Sequence, residues 1–149
     1  MHHMVMESED PGAELLLVLE QLVRFVRQVA TADGLSPAAS SALRRLLRDG
    51  PLRITELANA EGVSQPGMTQ LITRLEREGL VRRNASAEDK RGVQVEVTGT
   101  GAELIRRRRA ERAAMLQRMI ESLPLADQAA VTAALPALGR LADAGAQRV

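Results

Sequence analysis

The stretch Ser64–Gly79, SQPGMTQLITRLEREG, decides how the whole chain is read. Met68, Leu71, Ile72 and Leu75 fall at i, i+3, i+4 and i+7, which is one apolar face of a helix. At about 100° per residue the opposite face carries Pro66, Gln70, Thr73 and Arg77, with Thr69 and Arg74 at its flanks. Ser64 is a good N-cap, Pro66 fits the first turn, and Gly79 stops the helix. A helix that buries one side and shows small polar groups on the other is suited to a groove of duplex DNA.

The neighbours extend this into a unit. Upstream, Ile54 to Glu61 reads as a short helix with Leu57 and Ala58 inward, and Gly62 supplies the tight turn. The run 54–81, ITELANAEGVSQPGMTQLITRLEREGLV, is therefore a helix-turn-helix. Downstream, Leu80 to Arg83 reads as a strand and Asn84 to Lys90 as a polar loop. From Gly92 to Val97 the residues alternate, with Val93, Val95 and Val97 on one face and Gln94 and Glu96 on the other. Two strands about a polar loop make a hairpin, or wing.

Further out the chain is helical. Leu15, Leu16, Leu19, Leu22, Val23, Val26 and Val29–Ala30 keep a helical period from Ala13 to about Ala32, and Asp33-Gly34 breaks it. Ser36-Pro37 starts a second helix that reaches about Arg48 and ends at Gly50-Pro51. Thr98 or Thr100 caps a long helix to about Glu121. Its run Arg106-Arg107-Arg108-Arg109 wraps the full circumference, so it is no single basic face, and Glu103 and Glu111 are partners for part of it. After Ser122 and Pro124 a last amphipathic helix carries Leu125, Ala129, Val131, Leu135, Leu138 and Leu141, with a kink expected at Pro136. Residues 1–12 are polar and are expected to fray; the opening Met1-His2-His3-Met4 looks like a tag.

Composition excludes several chemistries. The 149 residues suit one domain. Cysteine is absent, so disulfides, thiolate catalysis and a cysteine redox switch are excluded. The only histidines are His2 and His3, which leaves no interior base for a Ser–His pair and no ligand set for a metal. No glycine-rich phosphate loop occurs, and Glu88-Asp89 lies in a loop, poor ground for acid–base work. A non-enzyme without cofactor is expected. Nothing approaches the roughly 18 apolar residues of a membrane span, and with no signal-peptide pattern a cytoplasmic location is expected. Net charge is +1. Residues 51–98 are neutral: Arg53, Arg74, Arg77, Arg82, Arg83, Lys90 and Arg91 balance Glu56, Glu61, Glu76, Glu78, Glu88, Asp89 and Glu96. An electropositive reading surface therefore requires sorting, with Arg74, Arg77, Arg82, Arg83, Lys90 and Arg91 to one side and Glu56, Glu76 and Glu96 away from it.

The order helix, helix, helix-turn-helix, wing, long helix, helix resembles the MarR family of winged helix-turn-helix regulators. The resemblance covers nearly the whole chain. It is carried by GPLRITELA at 50–58, VSQPGMTQLITRLEREGLV at 63–81, and DKRG at 89–92 followed by VQVEVTGTG at 93–101, with Asp89-Lys90-Arg91 matching an Asp-x-Arg wing signature. It implies a mainly α fold with a small β wing: a winged helix-turn-helix at 36–98 flanked by dimerisation helices at 13–35 and 99–149, all one domain over 13–149. It further implies an obligate homodimer whose first and last helices intertwine, bound to a palindromic operator as a repressor and relieved by a small ligand. The chain departs from the pattern in four ways. Arg53 stands where Thr or Ser commonly caps. Gly67 stands where Ala or Ser is usual, at roughly 1 kcal/mol of helix propensity, with close approach to the DNA backbone as the expected reason. Aromatics other than Phe25 are missing, unlike an aromatic-lined ligand pocket, and the lack of Cys excludes the thiol-oxidation branch.

Roles follow from side-chain chemistry. Gln65 and Gln70 suit adenine, Arg74 and Arg77 guanine or phosphate, and Pro66 and the Thr69 methyl the thymine methyl. Ser64 and Thr73 suit phosphate, with Gly67 beside them. On the wing, Asp89 is expected to hold Arg91 for the minor groove, with Arg82, Arg83 and Lys90 on the phosphate backbone. Leu15, Leu19, Leu22, Leu135, Leu138 and Leu141 are expected to form the dimer interface. The neutral charge keeps two other readings open: a winged-helix module that binds protein, and a ligand sensor with little DNA readout.

Overall fold

The computed structural model describes residues 10–30, 34–85 and 92–148, with the side chains of 29 and 30 left aside. The chain forms two compact units, one ending at Arg108 and one beginning at Arg109.

The first unit opens with α1, Pro11–Ala30. The helix includes Pro11 and Gly12, expected above to fray. Asp10 explains the earlier start: its carboxylate accepts from Gly12 N–H at 3.1 Å and its carbonyl from Ala13 N–H at 3.1 Å. Asp followed by Pro is a strong helix start. The second helix, α2 (Pro37–Asp49), has Ser36 as N-cap, its Oγ accepting from Ala39 N–H at 3.1 Å. Gly50, at φ +82°, ends it.

Leu52–Arg53 then form β1, a strand absent from the sequence reading. Two residues are too short for any period, and β1 exists only because Leu52 and Arg53 pair with Val95 and Gln94. Next come α3 (Ile54–Glu61) and α4 (Gln65–Arg77), joined through Gly62 in the left-handed region at φ +64°. The hairpin strands are β2 (Val81–Ala85) and β3 (Val93–Val97). Antiparallel pairing gives the order β1-β3-β2. β2 runs two residues beyond the expected Arg83, because Asn84 and Ala85 pair with Gln94 and Val93. The expected loop residues 86–90 lie outside the described residues.

One hydrophobic core holds this unit. It gathers Leu43 and Leu46 from α2, Leu57 from α3, Met68, Ile72 and Leu75 from α4, with Leu80, Val81 and Val95 from the sheet and its approach. Each fully buried large side chain contributes about 1.5–3 kcal/mol. Leu71 is only half-buried, at the edge. Val95 is buried and Val97 half-buried, but Val93 is exposed, because the hairpin there has run past the core.

The helix α5 (Gly99–Glu121) begins in the first unit. Thr98 is its cap, accepting from Gly101 N–H at 3.1 Å on Oγ1 and from Ala102 N–H at 2.9 Å on its carbonyl. The arginine run divides. Arg106 pairs with Glu103 at 3.6 Å, Arg107 and Arg109 are exposed, and buried Arg108 donates to Ser40 Oγ at 2.7 Å, tying α5 to α2. The second unit holds the rest of α5 and α6, Leu125–Ala146, which contains Pro136. Between them Gln128 Nε2 donates to the carbonyls of Glu121 and Leu123 at 3.2 and 2.8 Å, satisfying the end of α5. No helix among the described residues is long and apolar enough to cross a membrane.

Candidate nucleic-acid interface

The local chemistry of α4 gives it a sharp start and stop. Ser64 Oγ accepts from Gly67 N–H at 3.2 Å, and its carbonyl from Met68 N–H at 2.9 Å. A Cβ at Gly67 would lie 3.0 Å from Ser64 Oγ and 3.4 Å from Val63 Cγ1. The cap itself is thus a reason for glycine there, distinct from close approach to DNA. At the other end Leu80 N–H bonds to Leu75 O at 2.9 Å and Gly79 N–H to Glu76 O at 3.0 Å, with Gly79 at φ +77°. That is a Schellman end, and its companion contact is between two buried leucines, Leu75 and Leu80. α3 starts without a Ser or Thr cap. Glu56 instead accepts from Arg53 N–H at 3.4 Å and pairs with Arg53 Nε at 3.7 Å.

The structure collects on one exposed side of α4 most of the residues expected there. Ser64, Gln65, Pro66, Thr69, Gln70, Arg74 and Arg77 are exposed; Gly67 and Thr73 are half-buried. Gln65, Gln70 and Arg77 make no side-chain hydrogen bond or ion pair with any described residue. Both threonine hydroxyls bond one turn back: Thr69 Oγ1 to Gln65 O at 3.0 Å and Thr73 Oγ1 to Thr69 O at 2.9 Å. Their protons are therefore engaged within α4.

The charges are not sorted as expected. Glu76 and Glu96 lie beside arginines of the reading region rather than away from them. Arg83 pairs with Glu76 at 2.9 Å, Arg82 pairs with Glu96, and Arg74 with Glu78 at 3.4 Å. Arg82 and Asn84 both donate to Glu96, and these bonds, Arg82 first, hold its carboxyl below the ordinary value. The cross-strand partners Arg82 and Glu96 sit opposite each other in the ladder, which sequence spacing alone does not reveal. Asp89, Lys90 and Arg91 lie outside the described residues.

The reading unit is fastened to α5 by a close backbone crossing. Thr98 Oγ1 donates to Gly79 O at 2.6 Å and Thr98 N–H to Leu80 O at 3.0 Å. A Cβ on Gly101 would stand 2.2 Å from Leu80 O, so only glycine fits. On the far side, α2 and α3 are held by Glu61, which accepts from Ser41 Oγ at 2.8 Å and Arg45 Nε at 3.1 Å.

The expected interface leucines are largely uncovered. Leu19, Leu22, Leu135, Leu138 and Leu141 are exposed, and Leu15 is half-buried. On α1 Leu16, Leu17 and Val23 are exposed as well. An open groove of about 670 Å3 runs along Leu16, Leu19, Glu20, Val23, Arg24, Arg27 and Gln28. It has no aromatic lining residue. Among the described residues no cluster of His, Cys, Asp or Glu could hold a metal.

A helix-turn-helix with a three-stranded sheet and a projecting hairpin defines a winged helix-turn-helix protein. The MarR family model matches residues 35–93. An uncharacterized HTH-type transcriptional regulator of Mycobacterium leprae is 33% identical over 110 residues, 73% of this chain and 77% of its own length. The uncharacterized HTH-type transcriptional regulator YfiV of Bacillus subtilis is 33% identical over 98 residues, 66% of this chain. The chain spans only 61% of the length of YfiV. The crystal structure of transcriptional regulator Tm0710 from Thermotoga maritima superposes with a TM-score of 0.78 at 23% identity, covering 91% of this chain and 98% of that one. The chain belongs to the MarR family.

Proposed function

We propose that the protein is a sequence-specific, DNA-binding transcriptional regulator that acts as a homodimeric repressor on a palindromic operator. The exposed polar face of α4 carries this reading. It presents Gln65, Gln70 and Arg77, whose side chains are engaged with no described residue, opposite a face buried in the core. Two copies of α4 would enter successive major grooves about one helical turn apart. Gln65 and Gln70 would read adenine, and Arg77 guanine or phosphate. Arg91, held by Asp89, would enter the flanking minor groove, with Lys90 on the phosphate backbone.

The homodimer is supported by the uncovered apolar side chains on α1 and, separately, on α6, more exposed apolar area than a solitary chain ordinarily leaves open. Sedimentation should give twice the mass of one chain, and Leu22→Glu with Leu138→Glu should give one. A small ligand would relieve repression only through unequal affinity for DNA-competent and DNA-incompetent dimers.

Selection of bound duplex from a random pool tests the whole reading. A two-fold symmetric sequence should emerge, its affinity should fall steeply with salt, and Gln70→Ala or Arg91→Ala should weaken it. Wild-type affinity in both variants would refute the residue roles. The ion pairing of Arg74, Arg82 and Arg83 favours a second reading, a protein-binding module. A shallow salt slope with no selected sequence would favour that one instead.

A further inference from the structure

Arg82 and Arg83 are neighbours in β2 and point to opposite faces of the hairpin. Arg82 is exposed and lies across from Glu96. Arg83 turns back onto α4. Its Nη1 donates to Glu76 Oε1 at 2.9 Å, its Nη2 to Thr73 Oγ1 at 3.0 Å, and its backbone N–H to Glu76 Oε2 at 3.3 Å. Thr73 Oγ1 donates its own hydrogen bond to Thr69 O. Both ends of the guanidinium fork and both carboxylate oxygens are thus engaged. Arg83 pairs in the ladder with Val95, which is fully buried, so the fastening lies where the hairpin leaves the core.

We propose that Arg83 is a positioning residue of the DNA-reading surface. Through Glu76 and Thr73 it fixes the pitch of the hairpin against α4, so that helix and wing meet DNA as one rigid piece, and it makes no phosphate contact of its own. This rests on the DNA-binding reading above. A guanidinium held at both Nη atoms cannot turn its two-pronged fork to a phosphate without breaking charge-assisted bonds, and only its leftover N–H groups could reach one. Glu76, moreover, is a negative charge on a helix that faces DNA, and in the absence of a structural return it would only repel the backbone. A lysine cannot replace Arg83, because its ammonium is a point donor without the planar fork.

The sign of one substitution separates positioning from direct contact. If Arg83 positions, Glu76→Gln weakens binding to the selected duplex by about tenfold, the middle of the range for coupled neighbours. Arg83→Lys weakens it similarly, and the double variant is no worse than either. If Arg83 touches phosphate, Glu76→Gln tightens binding by freeing it and removing repulsion, and Arg83→Lys stays near wild type; either result overturns the proposal. Thr73→Val, which replaces the hydroxyl by a methyl group, should weaken binding about threefold and serves if Glu76→Gln fails to fold, wild-type affinity then overturning the proposal. Hydrogen exchange without DNA keeps the two readings apart. Should the wild-type chain select no duplex, the DNA reading fails. The strut is then judged by whether Glu76→Gln accelerates exchange of the Arg83 amide, and an unchanged rate overturns it.

Discussion

Replacing Gly101 with alanine should destabilise the first unit by about 2–4 kcal/mol. The added Cβ would stand 2.2 Å from Leu80 O and 2.8 Å from Val97 Cγ2. A carbon and a carbonyl oxygen without a conventional hydrogen bond keep about 3.3 Å, so the start of α5 must retreat by about 1 Å. Overpacking of this kind costs about 1–3 kcal/mol. The retreat also strains two hydrogen bonds across the same crossing, Thr98 N–H to Leu80 O and Thr98 Oγ1 to Gly79 O, each of about 1 kcal/mol. Against this, alanine gains at most about 1 kcal/mol of helix propensity. Urea unfolding at fixed protein concentration reads the difference as a lower midpoint with an unchanged slope. Gly99→Ala is the control: nothing lies within 4 Å of its Cβ position, and stability should hold or rise. A Gly101→Ala midpoint at or above wild type would refute the reasoning, because the crossing would then be loose enough to absorb a methyl group.

Leu57→Ala, at a position with 0% exposure among α2, α4 and the sheet, should cost about 2–5 kcal/mol in the same assay. Ser64→Ala removes the α4 cap and should cost about 1 kcal/mol; an unchanged midpoint would mean the cap contributes nothing. Glu96 has its carboxyl held below the ordinary 4.5 by Arg82 and then Asn84. A lowered folded-state pKa stabilises above the unfolded value and is lost as pH falls through the folded one. Wild type should therefore lose stability below about pH 4.5 more steeply than Glu96→Gln, and parallel acid titrations would count against the pairing.

Local order was legible in the sequence. The bounds of α3, the caps Ser36 and Ser64, the buried face of Met68, Ile72 and Leu75, and the turn at Gly62 all rest on interactions within about four residues, which spacing and residue type record directly. The start of α1 at Pro11 was local too, and Asp10-Pro11 was the signal that marked it. The exposed face of α4 was equally readable, because burial of one helix face leaves the other to solvent.

Long-range pairing was another matter. β1 has two residues and no pattern, and only Val95 and Gln94 make it a strand. Ser40 and Arg108 meet across 68 positions, although neither stands out in its own helix. The charge count over 51–98 came out neutral, and the sorting expected of it, with Glu76 and Glu96 away from the arginines, did not occur. In the folded chain β2 crosses the end of α4, bringing Arg83 to Glu76 and Thr73, while the ladder sets Arg82 opposite Glu96. A helix-turn-helix with a wing can be read from periods of 3.6 and 2, since those express backbone geometry. Which arginines remain available to DNA depends on distances between residues far apart in the chain, and those exist only once the hairpin has packed against the helix.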